Sequence, residues 1–600
     1  MSNYSRRPVL LVLFVLIGFI FLVRLFFLQV VDNSWKAQAA SMSERRIIQY
    51  PARGIVFDRN GEELVTNIPV YDLMVLPRDL EPMDTALFCD LVGVSKEDFI
   101  KRIKAAKAYS YRKASIFEKQ IPAGDYGKIA EQLYQFPGFY GQSRTLRTYP
   151  QRTAAHVLGY IGEVSGPQIE RNPYYKKGDY VGYNGIEKYY EEVLRGERGV
   201  NYVVVDVHNN TQGSYKDGLY DTLPRAGENI YLSLDAELQQ YTEKLLQGKR
   251  GAVVAIEPST GEILALANNP KYDPNLLIGR VRSKNYNKLL RDTLKPLFNR
   301  ALMSRYPPGS TFKLINGLIG LQEGVIDPNT SFRCRGGYFY PGGKVGCHDH
   351  SSPVRLNYSI TTSCNAYYCN VFKNLMDNGG DTEANYKKWR TYLSDFGLGK
   401  SLGIDLPSEN SGFIPETTYY DKFYGRNRWK GLTIISLAIG QGEIGISPVQ
   451  MANMCATIAN RGYYITPHFI KKFENNPDSL PEIYTQKNKI DIDSTYWELV
   501  VDGMENVVLN GTGRRAHFSD SISVCGKTGT AQNPHGKDHS IFIAFAPKGN
   551  PKIAVAVYVE NVGFGSTWAA PIASLTIEKY LTRKITRKTL EDRMFNADLL

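Results

Sequence analysis

The sequence predicts a mixed α/β protein: one membrane helix, then a mixed α+β segment, then a larger region in which helices cover a sheet. Three observations carry this. An apolar run from Pro8 to Val23, resumed by Leu25 to Leu28, opens the chain. Strand-like runs near 251–269 and 525–559 bracket a long stretch of mainly helical pattern. The 600 residues are 43% hydrophobic and 22% charged, enough for a sizeable core and more than one domain.

Arg6 and Arg7 precede the apolar run, and Arg24 interrupts it. The run from 8 to 28 spans a bilayer if Arg24 snorkels to the interface. No small-x-small cleavage site follows directly, since Ala37-Gln38-Ala39 lies past polar residues. An uncleaved anchor over 8–28 is therefore expected rather than a signal peptide. The arginines place residues 1–7 in the cytoplasm and everything after 30 outside. Nothing later is long and apolar enough to span. The net charge of +12 raises nucleic acid as a partner. No arginine-rich cluster, zinc-finger spacing or stacking motif supports it, and a basic exterior equally suits an anionic membrane surface or cell wall. Seven irregularly spaced cysteines do not form a disulfide scaffold.

From about 40 to 225 the pattern is mixed. Pro51 to Gly61 reads as a strand entering an Asp-Arg-Asn-Gly turn. Residues 84–135 read as an exposed helical subdomain, with Phe99, Ile100 and Ile103 at helical spacing among many lysines. Arg144 to Gly162 and Gly182 to Gly199 carry no catalytic pattern, and His156 reads as structural. A boundary falls near Pro224-Arg225-Ala226-Gly227. A helix is expected over Asp235 to Gln247. A hairpin then joins Gly251–Glu257 to Gly261–Ala267 through Pro258-Ser259-Thr260. Another helix covers Pro448 to Ala459. Strands cover Ser540 to Ala546 and Lys552 to Val559, and a last helix runs from Ala570 to Tyr580 before a charged, peripheral tail.

The chemistry starts at Arg305 to Asn316. Pro307, Pro308 and Gly309 stop what precedes them, and a helix begins near Ser310, with Phe312, Ile315, Leu318 and Ile319 at helical spacing. Ser310 and Lys313, three apart, share one helix face. A serine hydroxyl needs a base, and a lysine serves if burial and nearby cations lower its pKa. Ser110 to Lys113 repeats the spacing in a basic, exposed helix, where coincidence is the better reading. Downstream, Ser363-Cys364-Asn365 adds a second hydroxyl and an amide. Ser283-Lys284-Asn285 has that pattern too, but precedes Ser310 in a charged loop. Lys527-Thr528-Gly529-Thr530 reads as a strand whose glycine admits a ligand's backbone.

Ser-x-x-Lys, Ser-x-Asn and Lys-Thr-Gly in this order resemble the motif set of penicillin-binding proteins and serine β-lactamases. The stretches 51–61, 144–162 and 182–199 resemble the non-catalytic pedestal of class B penicillin-binding proteins. Tyr306–Gly309, Asp538–Phe542 and Trp568–Ala573 resemble the elongation-type subfamily, penicillin-binding protein 2. The resemblance implies a dimerisation-type pedestal over 30–225 and a transpeptidase domain with a helix-covered antiparallel sheet over 226–582. A charged tail, 583–600, follows. It implies a D,D-transpeptidase that cross-links peptidoglycan stem peptides through a serine acyl-enzyme during elongation and is trapped by β-lactams. The setting would be the bacterial inner membrane, single-pass, with the catalytic domain in the periplasm. The implied partners are a SEDS-class membrane glycosyltransferase and other elongation proteins, and no cofactor is required.

By the same resemblance Ser310 attacks the D-Ala-D-Ala carbonyl and Lys313 takes its proton. Ser363 relays a proton to the leaving group, and Asn365 binds the substrate amide and Lys313. Lys527 holds Lys313 neutral. The N–H groups of Ser310 and Thr530 form the oxyanion hole, and Thr528 and Thr530, flanking Gly529, hold the terminal carboxylate. The water-activating Glu-x-x-Leu-Asn of class A β-lactamases has no match. Glu505 to Asn510 carries one residue too many and reads as a turn. That, with the anchor and pedestal, disfavours a β-lactamase or D,D-carboxypeptidase. A β-lactam sensor of the same fold needs more membrane helices or an output domain inside, and a class A enzyme needs a glycosyltransferase domain for which 40–225 lacks room.

Cys334, Cys347, His348, Asp349, His350, Cys364 and Cys369 crowd together after the nucleophile helix. Thiolates with an imidazole suit zinc, and Cys334, Cys347, His350 and Cys364 could close a tetrahedral structural site beside Ser363. A disulfide such as Cys334–Cys347, or buried free thiols, are the other readings.

Overall fold

The computed structural model describes residues 7–28, 44–176, 178–205, 211–279 and 281–600. Residues 1–6 of the expected tail and the Ala37-Gln38-Ala39 stretch lie outside them. Helix α1, Arg7–Phe26, contains the span Pro8–Phe26, which is long and apolar enough to cross a membrane. Its 19 residues, at about 1.5 Å each, match a hydrocarbon core of about 30 Å.

The chain gathers into two compact units. The first takes the described residues up to Arg53, then Pro69–Thr145 and Arg195–Gly227. Glu44–Gln49 pairs antiparallel with Gly199–Val205, which pairs with Thr211–Ser214. Helices Thr85–Val92 and Lys96–Tyr109 are capped by Asp84 and Ser95, whose side chains accept from free N–H groups of the first turn. The expectation of an all-helical stretch from 84 to 135 needs correction, because Ser115–Pro122 is a strand paired with residues 70–75. Its Phe117 and Ile121 are buried, and this core contact overrides the local lysine-rich, helix-like composition. Phe88 centres the core, with the rings of Phe99, Phe117, Phe136 and Phe139 between 4.4 and 5.5 Å away. The helix ends at Ser110, whose hydroxyl accepts from the N–H groups of Arg112 and Lys113. Ser110 and Lys113 therefore span a turn, not a helix face.

The second unit takes residues 54–68, 146–194 and 228–600. Part of the segment expected as pedestal, 54–68 and 146–194, thus packs with the C-terminal region. The fully buried pair Arg147–Glu187, at 2.7 Å, sits in this part, and Arg147 also donates to Asn67 Oδ1 at 3.0 Å. Two buried charges are tolerable there because each satisfies the other.

The centre of this unit is a five-stranded antiparallel sheet of β1 (Gly251–Ile256), β2 (Ile263–Asn269), β3 (Cys525–Ala531), β4 (His539–Ala546) and β5 (Ile553–Val559), in the order β2-β1-β5-β4-β3. The inner strands β1 and β5 are buried throughout, which is why they read as unbroken apolar runs. Helices of the unit include α2 (Ala236–Leu246), α3 (Lys313–Gln322), α4 (Asn365–Asp377), α5 (Pro448–Ala459), α6 (Ser494–Leu509), α7 (Ala569–Thr582) and α8 (Lys588–Asn596). Residues alternate between the two faces. Val253, Ala255, Val555 and Val557 meet Leu238 and Leu245 of α2 and Ile572 of α7. Val254, Ala554 and Ala556 belong to the core of Met451 and Ile458 of α5. The charged residues after Thr582 are no loose tail: Met594 of α8 is fully buried, and Lys249 Nζ donates to the carbonyls of Met594 and Ala597. Ser283-Lys284-Asn285 lies in a helix, Arg282–Arg291, rather than a loop. Strand β3 ends the sheet, and its open edge faces the turn that begins α3.

Candidate active site

A cleft of about 590 Å³ opens along that edge, lined among others by Ser310, Ser363, Asn365, Thr528, Gly529 and Thr530. Three distant stretches of sequence meet here. Ser310 sits in a 3-10 turn, Gly309–Phe312, that leads into α3. The turn is closed by Thr311 Oγ1 donating to Pro308 O at 2.8 Å. Lys313, the first residue of α3, is fully buried. Its Nζ donates to Ser363 O at 2.7 Å, to Ser363 Oγ at 3.1 Å and to Asn365 Oδ1. Among the described residues no hydrogen bond joins Ser310 Oγ to Lys313 Nζ. The two lie one turn apart, and contacts of this kind tighten when substrate binds.

Ser363 joins two helices. It ends Leu356–Thr362 with φ of 56°, and Cys364 then caps α4 by accepting from Tyr367 N through Sγ. A left-handed non-glycine residue costs free energy and persists where its surroundings fix it; here the bond to Lys313 helps do so. Asn365 accepts from Lys313 and donates to Gly346 O. Lys527 on β3 is fully buried, with Nζ donating to Thr528 O at 3.1 Å.

Burial lowers both lysines. Lys313 is brought down to about 8, against the raising influence of the Cys364, Cys347 and Cys369 thiols. Lys527 is pushed well below its ordinary value, by burial first and by Lys313 second. Desolvation leads for both, and the like-charge effect falls on Lys527, not on Lys313 as expected from sequence: burial, rather than Lys527, holds Lys313 down.

Glu505 lies on α6, not in a turn, and its carboxylate accepts from Lys548 Nζ at 2.7 Å. It is not among the residues lining the cleft. Gln441, Thr512, Asp538 and Phe564 line it and were missed in the sequence. Thr512 Oγ1 lies 2.6 Å from Thr528 Oγ1, and the Gly511-Thr512-Gly513 turn after α6 was the available signal.

On one side of the cleft the ligand atoms of Cys334, Cys347, His350 and Cys364 lie within 4.8 Å of one another. The cysteines are free thiols, with Cys347 Sγ and Cys364 Sγ 3.9 Å apart. Tetrahedral zinc with bonds of about 2.3 Å places two sulfurs about 3.8 Å apart. His350 Nδ1 lies 2.9 Å from Ser351 O and must carry the proton there, while its Nε2 is buried without a hydrogen-bond partner. A metal-ligating histidine is held in this way. His348, Asp349 and Cys369 are not in the group.

A serine at a helix start, a buried lysine of lowered pKa, a second hydroxyl and an amide facing an edge strand together form a serine acyl-transfer site. The comparisons agree in kind. Residues 251–578 match the penicillin-binding protein transpeptidase domain, and residues 48–232 match the penicillin-binding protein dimerisation domain. Peptidoglycan D,D-transpeptidase MrdA of Haemophilus influenzae is 34% identical over 573 residues, 89% of this chain and 85% of the relative. MrdA of Escherichia coli K12 is 35% identical over 547 residues, covering 86% and 84%. Among solved structures, PBP2 of Helicobacter pylori in complex with MreC superposes with a TM-score of 0.74 at 25% identity, over 90% of this chain and 98% of that one. Pseudomonas aeruginosa PBP2 in complex with WCK 5153 gives 0.66 at 29%, over 90% and 97%. This chain belongs to the penicillin-binding protein transpeptidase family. The resemblance to penicillin-binding protein 2 is borne out by these relatives.

Proposed function

We propose that this chain is the peptidoglycan D,D-transpeptidase of cell elongation, cross-linking stem peptides through an acyl-Ser310 intermediate. The observation that carries it is the buried Lys313 Nζ, bonded to Ser363 and Asn365 inside the cleft that holds Ser310 and Thr528 to Thr530. Neutral Lys313 accepts the Ser310 proton as Oγ attacks the D-Ala-D-Ala carbonyl. The N–H groups of Ser310 and Thr530 take the developing oxyanion, and Thr528 and Thr530 hold the terminal carboxylate near Lys527. The C–N bond breaks, and D-alanine leaves with a proton relayed through Ser363. An amine of a second stem peptide then attacks the ester, forming the cross-link and freeing Ser310. The step requires no cofactor.

Glu505, held by Lys548, is no water activator, which favours the amine over water as acceptor. The full chain in detergent, given pentapeptide stems, should release D-alanine and form cross-linked dimers together. Release without dimers would make it a carboxypeptidase. Penicillin trapping without either product would make it a sensor.

The apolar span Pro8–Phe26, with Arg6 and Arg7 before it, supports an inner-membrane protein whose catalytic unit is periplasmic. The partners in this reading are a SEDS-class glycosyltransferase, which supplies glycan strands, and elongation proteins. Ile100, Tyr109, Tyr111 and Tyr134 are 57%, 71%, 58% and 80% exposed, an apolar excess suited to a protein contact. Replacing these four with serine should weaken co-purification with the glycosyltransferase and spare penicillin acylation; loss of acylation would make them structural. Cys334, Cys347, His350 and Cys364 would hold one structural zinc, which fastens the segment carrying Ser363 and Asn365.

A further inference from the structure

We infer that Gln441 is a positioning residue for acyl transfer, fixing the oxyanion hole through the carbonyl of Thr530. The inference rests on the acyl-transfer reading of the cleft. The hole needs two N–H groups, of Ser310 and Thr530, at a fixed separation. They belong to different segments, a 3-10 turn and an edge strand. An edge strand has no neighbour on its outer side to hold it. In an antiparallel strand the N–H and C=O of one residue point the same way. Thr530 O points outward, where Gln441 Nε2 donates to it at 3.0 Å. The Thr530 N–H therefore faces the cleft, and Gln441 stands in for the missing strand.

The segment that carries Gln441 is itself fastened to the nucleophile turn. Gly440 O accepts from Gly309 N at 2.9 Å. Asn316 Nδ2, on α3, donates to Leu437 O and Ala438 O, and Asn316 Oδ1 accepts from Trp389 Nε1 at 2.9 Å. The three backbones approach too closely for side chains. A Cβ on Gly440, at φ of +67°, would lie 2.4 Å from Gly309 O. One on Gly309, at φ of +56°, would lie 2.8 Å from Thr530 O. Glycine alone serves at both places. Gln441 thus completes a chain of contacts from α3 through 437–441 to β3, so that turn and strand share one frame.

A misplacement of about 1 Å costs about a hundredfold in rate, and loss of this single tether is expected to cost about tenfold. The test is time-resolved acylation of the full chain by benzylpenicillin, resolving the non-covalent Kd from the acylation rate constant. Gln441→Ala removes the side chain, while Gln441→Met keeps its length without the donor. Both variants should acylate about tenfold more slowly with Kd within about twofold of wild type. An unchanged rate in both would overturn the inference. Wild-type behaviour of Gln441→Met alone would show packing instead, and a changed Kd at constant rate would show ligand contact; either also overturns it. If wild type itself does not acylate, the acyl-transfer reading fails first and this inference goes with it.

Discussion

Ser310→Ala should lose covalent labelling by benzylpenicillin, with at least a thousandfold fall in acylation rate, on the order of what nucleophile removal costs other serine enzymes. Wild type should gain one drug mass and keep it for many minutes: Glu505 is engaged by Lys548, and Asp538, which lines the cleft, accepts from Asn533 N. Ser363, Thr512, Thr528, Thr530 and Ser566 also bring hydroxyls to the cleft, so the alanine variant decides which of them is acylated. Intact mass of both proteins checks this, and labelling of the alanine variant would remove Ser310 as nucleophile. The wild-type rate should also depend on pH in one direction. Attack needs Lys313 neutral, and burial brings it down to about 8. The rate should therefore rise through about pH 8 and fall roughly tenfold per unit well below it. A flat profile from pH 6 to 9 would remove Lys313 as the base.

Purified full chain should contain one zinc, and stripping it should lower the melting temperature by roughly 5 °C or more. Three thiol sulfurs and an imidazole nitrogen within 4.8 Å form a donor set that a cation completes once the thiols lose their protons, and Nε2 of His350 has no hydrogen-bond partner in the structure. Cys347→Ser should reproduce the loss, because Cys347 also accepts from Ala366 N at 3.2 Å beside Asn365. Metal analysis finding no zinc, with a melting temperature indifferent to chelator, would refute the site. A disulfide in its place would appear as two missing thiols on titration.

The three motifs, Ser310-x-x-Lys313, Ser363-x-Asn365 and Lys527-Thr528-Gly529, were legible because each is local, and the fold brings them to one cleft. Ser310 and Lys313 share a turn, and Lys527 and Thr530 share a strand. The grouping of Cys334, Cys347, His350 and Cys364 was legible by residue type alone. Gln441 was not, since it works by reaching a carbonyl across the fold, and no short pattern records that. Strand Ser115–Pro122 was hidden by its lysine-rich flanks, because Phe117 is fixed by contacts with residues far along the chain. Glu505 was read as part of a turn, but it lies on α6, and an ion pair with a lysine far along the chain, Lys548, takes its carboxylate.

The two compact units are interleaved along the chain, which passes between them at 53/54, 68/69, 145/146, 194/195 and 227/228. A fragment beginning at residue 228 would leave Ile230–Leu232 without its parallel neighbour Val56–Phe57 and would strip the core of Val56, Leu64 and Leu158. The catalytic unit is thus not a contiguous gene segment. Recombination that swaps it between relatives has to carry residues 54–68 and 146–194 as well, so the two units are inherited as a pair.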